Sequence, residues 1–197
     1  MSNKVLLIIS SVSEKNSFTC KATEIFIENY KLINPHDQIE ILNLNNNKKI
    51  LSVLNSHNFI NFYDDESDKL IEQLKSSNKI IIAAGMINFS VPTTLKAYFD
   101  NVLQVNKTFK YKYQGNGESI GLLDSKTKVQ LILAQGAIKG WYPFASFDNY
   151  LIGVLKFMGI TNVDVLLYDG TKTSQKSKLS IDEIIDKNKL IELSNNF

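Results

Sequence analysis

Apolar and polar positions alternate along this chain in blocks with two different periods. Residues 5–9 and 80–84 are unbroken apolar runs, the latter Ile80, Ile81, Ile82, Ala83 and Ala84 followed by Gly85. Strands with apolar residues on both faces must be covered on both sides, which makes them interior strands of a parallel sheet. Residues 38–44, 129–133 and 163–168 read as three further strands, the first with Ile39 and Ile41 alternating with polar neighbours. Between them the period lengthens. Phe18, Ala22, Ile25, Phe26, Tyr30 and Ile33 mark a helix that ends before Asn34-Pro35, because a residue preceding proline is pushed out of the helical region. Residues 64–77 form a surface helix with acidic residues in its first turn and Leu70, Ile71 and Leu74 facing inward. A third stripe (Leu95, Tyr98, Phe99, Val102, Leu103) follows Pro92, placed in its first turn. A helix over 147–158 closes at Gly159, and Ser180-Ile181-Asp182-Glu183 opens a final one.

Two segments break the rhythm. Phe109, Tyr111 and Tyr113 alternate with lysines up to Gln114-Gly115-Asn116-Gly117, and Ile120 to Leu123 return, which predicts a small inserted hairpin. Residues 50–63 show no clear period. Five strands with intervening helices predict a doubly wound α/β sheet, and right-handed crossovers favour strand order 2-1-3-4-5, with the first and third strands adjacent at the switch point. At 197 residues, one domain spanning 1–197 is expected.

Composition narrows the chemistry. Twenty-two basic and 20 acidic residues give a net charge of +2, so no strong field favours nucleic acid or a membrane. Every basic residue is lysine; without arginine, a phosphate site must be built from backbone amides, hydroxyls or lysine. The single cysteine, Cys20, excludes an internal disulfide, and with no signal-peptide pattern a cytoplasmic setting is expected. His36 and His57 lie in polar stretches without a second ligand at metal spacing, and the phosphate-loop, dinucleotide and nucleophile-elbow motifs are all missing. No metal is expected. A chain without an acid, base or metal cluster fits chemistry carried by an organic cofactor.

Three loops meet at the switch point under this order: residues 10–19, 85–90 and 134–140. The first supplies Ser10, Ser11, Ser13, Ser17 and Thr19 ahead of a helix N-terminus, whose free amides suit a phosphate. Ser17 by itself would serve equally as a helix cap. The other two are uncharged at their centres, so Met86 and Phe89 would grip a flat ring and Gly136 would let backbone approach its edge.

These residues resemble a known family. Ser10-Ser11 with Ser17-Phe18-Thr19, Met86-Ile87-Asn88-Phe89 ahead of Thr94-Leu95-Lys96-Ala97-Tyr98-Phe99-Asp100, Thr108-Phe109-Lys110-Tyr111, and Gln135-Gly136-Ala137 are similar to the FMN-dependent NADH azoreductases and NAD(P)H quinone reductases of flavodoxin-like fold, over residues 4–170. The resemblance implies that Ser10 or Ser11 with Ser17, Phe18 and Thr19 hold the FMN phosphate. It implies that Met86, Ile87, Asn88 and Phe89 contact the isoalloxazine, with an amide near Asn88 facing flavin N5. Ala134, Gln135, Gly136 and Ala137 would line the pyrimidine edge, and Tyr111 and Phe157 would stand near the mouth of a site completed by the partner in a homodimer. NADH as donor, and azo compounds or quinones as acceptors, would react in turn at one pocket. Ile87, Ala134 and Ala137 depart from the commoner family residues. Three other readings stand beside this one, among them a ligand-binding or scaffold protein that keeps the fold without activity, to which the departures at Ile87 and Ala134 point. A flavodoxin-type electron carrier would be more acidic and lack the hairpin, and an acyl-carrier-protein phosphodiesterase, a label sometimes used in this family, would require a metal or acid/base cluster.

Overall fold

A computed structural model describes residues 2–13, 16–113 and 117–197. Five parallel strands, β1 (Lys4–Ile9), β2 (Gln38–Asn43), β3 (Lys79–Gly85), β6 (Lys128–Ala134) and β7 (Asn162–Tyr168), form one sheet in the order β2-β1-β3-β6-β7. The expected order holds, since the two intervening strands, β4 (Phe109–Tyr111) and β5 (Ser119–Gly121), pair only with each other as the antiparallel hairpin. The proposed hairpin turn at Gln114, Gly115 and Asn116 lies outside the described residues, as do Glu14 and Lys15 of the first loop.

Alternation along the interior strands divides their side chains between two cores. Leu6, Ile8, Ile80, Ile82, Val129, Leu131 and Leu133 pack beneath α3 (Asp65–Ser76), α4 (Thr93–Val102) and α5 (Phe147–Phe157). Val5, Leu7, Ile81 and Ile132 face α1 (Phe18–Ile33) and the C-terminal α7 (Lys187–Asn195). Of the stripes read from the sequence, Leu70, Ile71 and Leu74 on α3, Leu95, Tyr98, Phe99 and Val102 on α4, and Ala22, Phe26 and Tyr30 on α1 are buried, whereas Leu103 at the end of α4 is half-buried and Ile33 at the end of α1 is exposed.

Some boundaries differ from the sequence reading. Pro92 occupies the cap position of α4 instead of its first turn. The segment without a clear period holds the end of the one-turn α2 (Lys48–Leu51) and a 3-10 turn at Phe59–Asn61. The final helix is two helices. Ser180 and Glu183 form the expected capping box, but it serves only α6 (Ile181–Ile184); Ile185 turns extended and buries its side chain, and Asp186 then caps α7 by accepting from the Lys189 N–H at 3.1 Å.

The end of the sheet opposite the site, where β1 and β3 begin, is closed by a polar clamp. The Tyr30 hydroxyl donates to Asp37, the Asn3 N–H donates to the same carboxylate at 2.7 Å, and Lys79 Nζ lies 2.9 Å from the Tyr30 hydroxyl and above the Phe197 ring. Burial alone would raise the Asp37 pKa, but the hydrogen bonds from Tyr30 and Asn3 outweigh it and hold the carboxyl below its usual range. A depressed carboxylate stabilises the fold above the unfolded-state value, about pH 4, and loses that contribution as pH falls through the folded-state value. The Asp37→Asn variant is therefore expected to be about 1–3 kcal/mol less stable at pH 7, and to lose less than the wild type on acidification to pH 3, as measured by urea denaturation.

Candidate functional site

The ladder of the sheet runs one step past the strands and fixes where the three loops begin. The Ser10 N–H donates to Ala83 O at 3.0 Å, the Met86 N–H to Ala134 O at 2.8 Å, and the Gln135 N–H to Tyr168 O at 2.9 Å. Just beyond lies a cleft of about 400 Å³ lined by residues of the first loop, by Gly85, Met86 and Ile87, by Ala134, Gln135 and Gly136, and by Thr171 and Lys172. Ligands of open α/β sheets bind at this switch point, in clefts of about this size.

One pole gathers hydroxyls and backbone amides, a donor set that suits an anion. Ser17 caps α1, accepting from the Cys20 N–H at 3.2 Å, and its hydroxyl lies 2.8 Å from that of Ser11 and 3.0 Å from that of Thr19. No acidic residue occupies the first turn of α1, so the positive end of this 16-residue helix is not offset by a carboxylate of its own first turn. Phe18 lines the same pole. Ser10 takes the other direction: it is fully buried and its hydroxyl donates to Ala83 O at 3.0 Å, which commits it to the sheet while Ser11 faces the cleft. Asn45 anchors this loop by donating to Ser11 O at 2.7 Å.

The opposite pole is uncharged apart from Lys172, whose stem lies beside Gly136. Residues 87–90 form a tight turn closed by reciprocal bonds, Ile87 N–H to Ser90 O at 2.9 Å and Ser90 N–H to Ile87 O at 3.0 Å. Asn88 and Phe89 at its centre have φ of 45° and 70°, the left-handed pair of a type I′ turn. Asn tolerates that region; a phenylalanine there stores on the order of 1–3 kcal/mol. Edge-to-face contacts from Phe89 to Tyr142 (4.9 Å between centroids) and Phe144 (5.2 Å) hold it. Among the described residues, nothing accepts the N–H of Asn88 or Phe89. Neither residue lines the cleft; the turn forms its rim.

The third loop is pinned through Lys139, whose N–H donates to Asp169 at 2.8 Å and whose ammonium pairs with the buried Asp148. Burial would raise the Asp148 pKa, but the bonds from Lys139 and the Asn149 N–H hold it below its usual value. Ala137 turns from the cleft into a neighbouring apolar pocket with Ile138, Trp141 and Tyr142. Tyr111 and Phe157 both pack against Phe109, at 5.3 and 4.7 Å, in a cluster joining the hairpin to α5, and line no part of the cleft. Sequence reasoning missed Thr171 and Lys172. Their polar loop carries no local signal, and they reach the cleft because the Thr171 and Lys172 N–H groups donate to Gln135 O and Gly136 O, at 3.2 and 2.9 Å.

Hydroxyls at the N-terminus of α1 on one side and a largely apolar floor on the other define an α/β protein whose switch-point cleft suits a planar ligand with an anionic tail. The donor set fits FMN on that ground: hydroxyls and amides for a phosphate, unclaimed amides and apolar side chains for a ring. The chain belongs to the family described as Flavodoxin-like fold, which it matches over residues 3–189. It is 46% identical over 177 residues to an FMN-dependent NADH:quinone oxidoreductase of Metamycoplasma arthritidis, covering 89% of this chain and 90% of that one. It is 43% identical over 187 residues to the protein of the same name from Mycoplasma mobile, covering 93% and 92%. Among solved structures, an FMN-dependent NADH-azoreductase from Bacillus anthracis str. Ames Ancestor in complex with FMN superposes with a TM-score of 0.78 at 25% identity, covering 98% of each chain. An azoreductase from Bacillus anthracis str. Sterne gives 0.82 at 21% identity over the whole of both chains, a likeness of fold.

Proposed function

We propose that this protein is an FMN-dependent NADH:quinone oxidoreductase that also reduces azo compounds. The observation that carries the reading is the two-poled cleft, with the Ser11, Ser17 and Thr19 hydroxyls at one end and the apolar floor of Met86, Ala134 and Gly136 at the other. When bound, FMN supplies hydride acceptance from NADH and donation to the acceptor. The chain supplies binding and orientation. Ser11, Ser17, Thr19 and the first amides of α1 would hold the phosphate with Phe18 beside it, and the unclaimed N–H of Asn88 or Phe89 would donate to the ring from the rim. Met86 and Ile87 would support the ring, with Phe89 at the rim, while Ala134, Gln135 and Gly136 would border its pyrimidine edge. With no side-chain nucleophile required, one pocket serves donor and acceptor in turn.

The active form is a homodimer working in the cytoplasm, built from one domain over residues 1–197. The exposed aromatics beside the rim support the dimer: Trp141 is 71% and Phe144 73% accessible, surface that a second copy would cover. Tyr111 and Phe157, partly exposed on the same molecule, would reach a mouth only in that assembly. No described helix is long and apolar enough to cross a membrane. The expected result for FMN-loaded protein is NADH-dependent reduction of menadione with parallel double-reciprocal lines, the signature of alternate occupancy of one site. Colourless protein that fails to oxidise NADH when given FMN and menadione would contradict the assignment.

A further inference from the structure

Lys172 is the one charged residue among the described residues lining the cleft. Its backbone is held on the third loop at successive points: Gly170 N–H to Ala137 O at 2.8 Å, the Thr171 hydroxyl to Gln135 O at 3.1 Å, and the Lys172 N–H to Gly136 O at 2.9 Å. Its stem crosses the open side of Gly136, where a Cβ would come within 3.0 Å of Lys172 Cγ. Gly136 thus has a second use, leaving room for this side chain over the edge of the cleft. The same lysine borders both adjoining spaces, the polar groove beside α1 and the apolar pocket under Trp141. The neighbouring lysines are engaged elsewhere. Lys21 pairs with Glu24 at 3.1 Å, Lys139 with Asp148, and Lys176 donates to Asp169 O at 2.8 Å.

We propose that the Lys172 ammonium stabilises the reduced flavin and thereby sets the reduction potential of the bound cofactor, an inference that rests on the flavin reading above. Hydride transfer from NADH delivers two electrons and one proton, so the ring gains one negative charge as NAD⁺ forms, and that charge resides on its pyrimidine half. Amides at the rim are neutral and the chain has no arginine; among the described residues lining the cleft Lys172 is the one cation, and its stem lies against Gly136 at that edge. Since Lys172 is exposed, solvent screens it, and its effect is a moderate one that arises only after reduction. An attraction confined to the charged state favours reduced over oxidised FMN, where a phosphate contact would favour both equally.

The test compares wild type, Lys172→Gln and Lys172→Arg, each loaded with FMN, by the two-electron midpoint potential at pH 7 and by the affinities for oxidised FMN and riboflavin. The exposed site lets all three fold, checked by equal Tm. Lys172→Gln is expected to lower the potential by about 30 mV or more, a tenfold loss of preference for the reduced form. Oxidised FMN and riboflavin should bind nearly as before, and Lys172→Arg should restore most of the potential. An unchanged potential overturns the inference, whether binding is untouched or FMN, and not riboflavin, is weakened in both redox states, which would assign Lys172 to the phosphate. Wild-type protein that takes up no FMN overturns the flavin reading itself, a result distinct from either.

Discussion

Ser17→Asp should leave the protein as stable as the wild type while weakening FMN binding about a hundredfold or more. Aspartate is as good a helix cap as serine, so the bond from the Cys20 N–H and the start of α1 survive. What changes is charge. A carboxylate would stand where the hydroxyl now touches those of Ser11 and Thr19, facing a phosphate that carries close to two negative charges. Each such pair at about 4 Å repels by about 1 kcal/mol in water and about 4 kcal/mol at the effective dielectric of a protein surface, and doubling for the phosphate spans the hundredfold loss. Ser17→Ala reverses the pattern: stability falls by about 1 kcal/mol with the lost cap, and FMN binding weakens only moderately. Fluorescence titration with FMN, set beside thermal melts, separates a serine that merely caps a helix from one that also holds an anion. Unweakened FMN binding by Ser17→Asp would assign Ser17 to the cap alone.

The second large effect lies at the hairpin. Gly121 in β5 runs against the end of α5 so closely that a Cβ would lie 2.1 Å from Gly159 N, 2.3 Å from Met158 C and 2.4 Å from Gly159 Cα. These are backbone atoms, so no change of rotamer relieves the clash. Gly121→Ala must lift the hairpin off the helix, breaking the bond from the Leu123 N–H to Met158 O at 2.9 Å and parting Phe109 from Phe157. Overpacking of about 1–3 kcal/mol with a lost hydrogen bond of about 1 kcal/mol gives a fall in Tm of roughly 5–15 °C. Gly159→Ala should act alike, since that residue sits at φ 108° with Leu123 O 2.8 Å from its absent Cβ. An unchanged melt for Gly121→Ala would contradict the packing described. Because Tyr111 and Phe157 belong to this seat, a displaced hairpin should also disturb the dimer proposed above.

How much of this was legible in the amino acids follows from the range of the forces involved. The interior strands and the stripes of α3 and α4 could be read because burial on both faces, or on one, imposes a period on neighbouring residues. The break between α6 and α7 could not, because it depends on where Ile185 finds its pocket. Ser10 and Ser11 are indistinguishable by type; the ladder bond to Ala83 O turns one into the sheet and leaves the other in the cleft. Phe89 gave no warning of a left-handed backbone, because phenylalanine is not a turn former and its conformation is held by Tyr142 and Phe144, more than 50 positions away. Lys172 was hidden for the same reason: main-chain bonds to Gln135 and Gly136 put it at the cleft, and such bonds leave no trace in side-chain identity.

A crystal structure of the protein grown with FMN tests the central claim most directly. The phosphate is expected at the N-terminus of α1, within hydrogen-bond distance of Ser11, Ser17 or Thr19, and the ring against Met86 with its pyrimidine edge beside Gly136. A phosphate seated instead in the larger groove of about 870 Å³ between α1 and residues 176–182, or a ring outside the switch-point cleft, would contradict it.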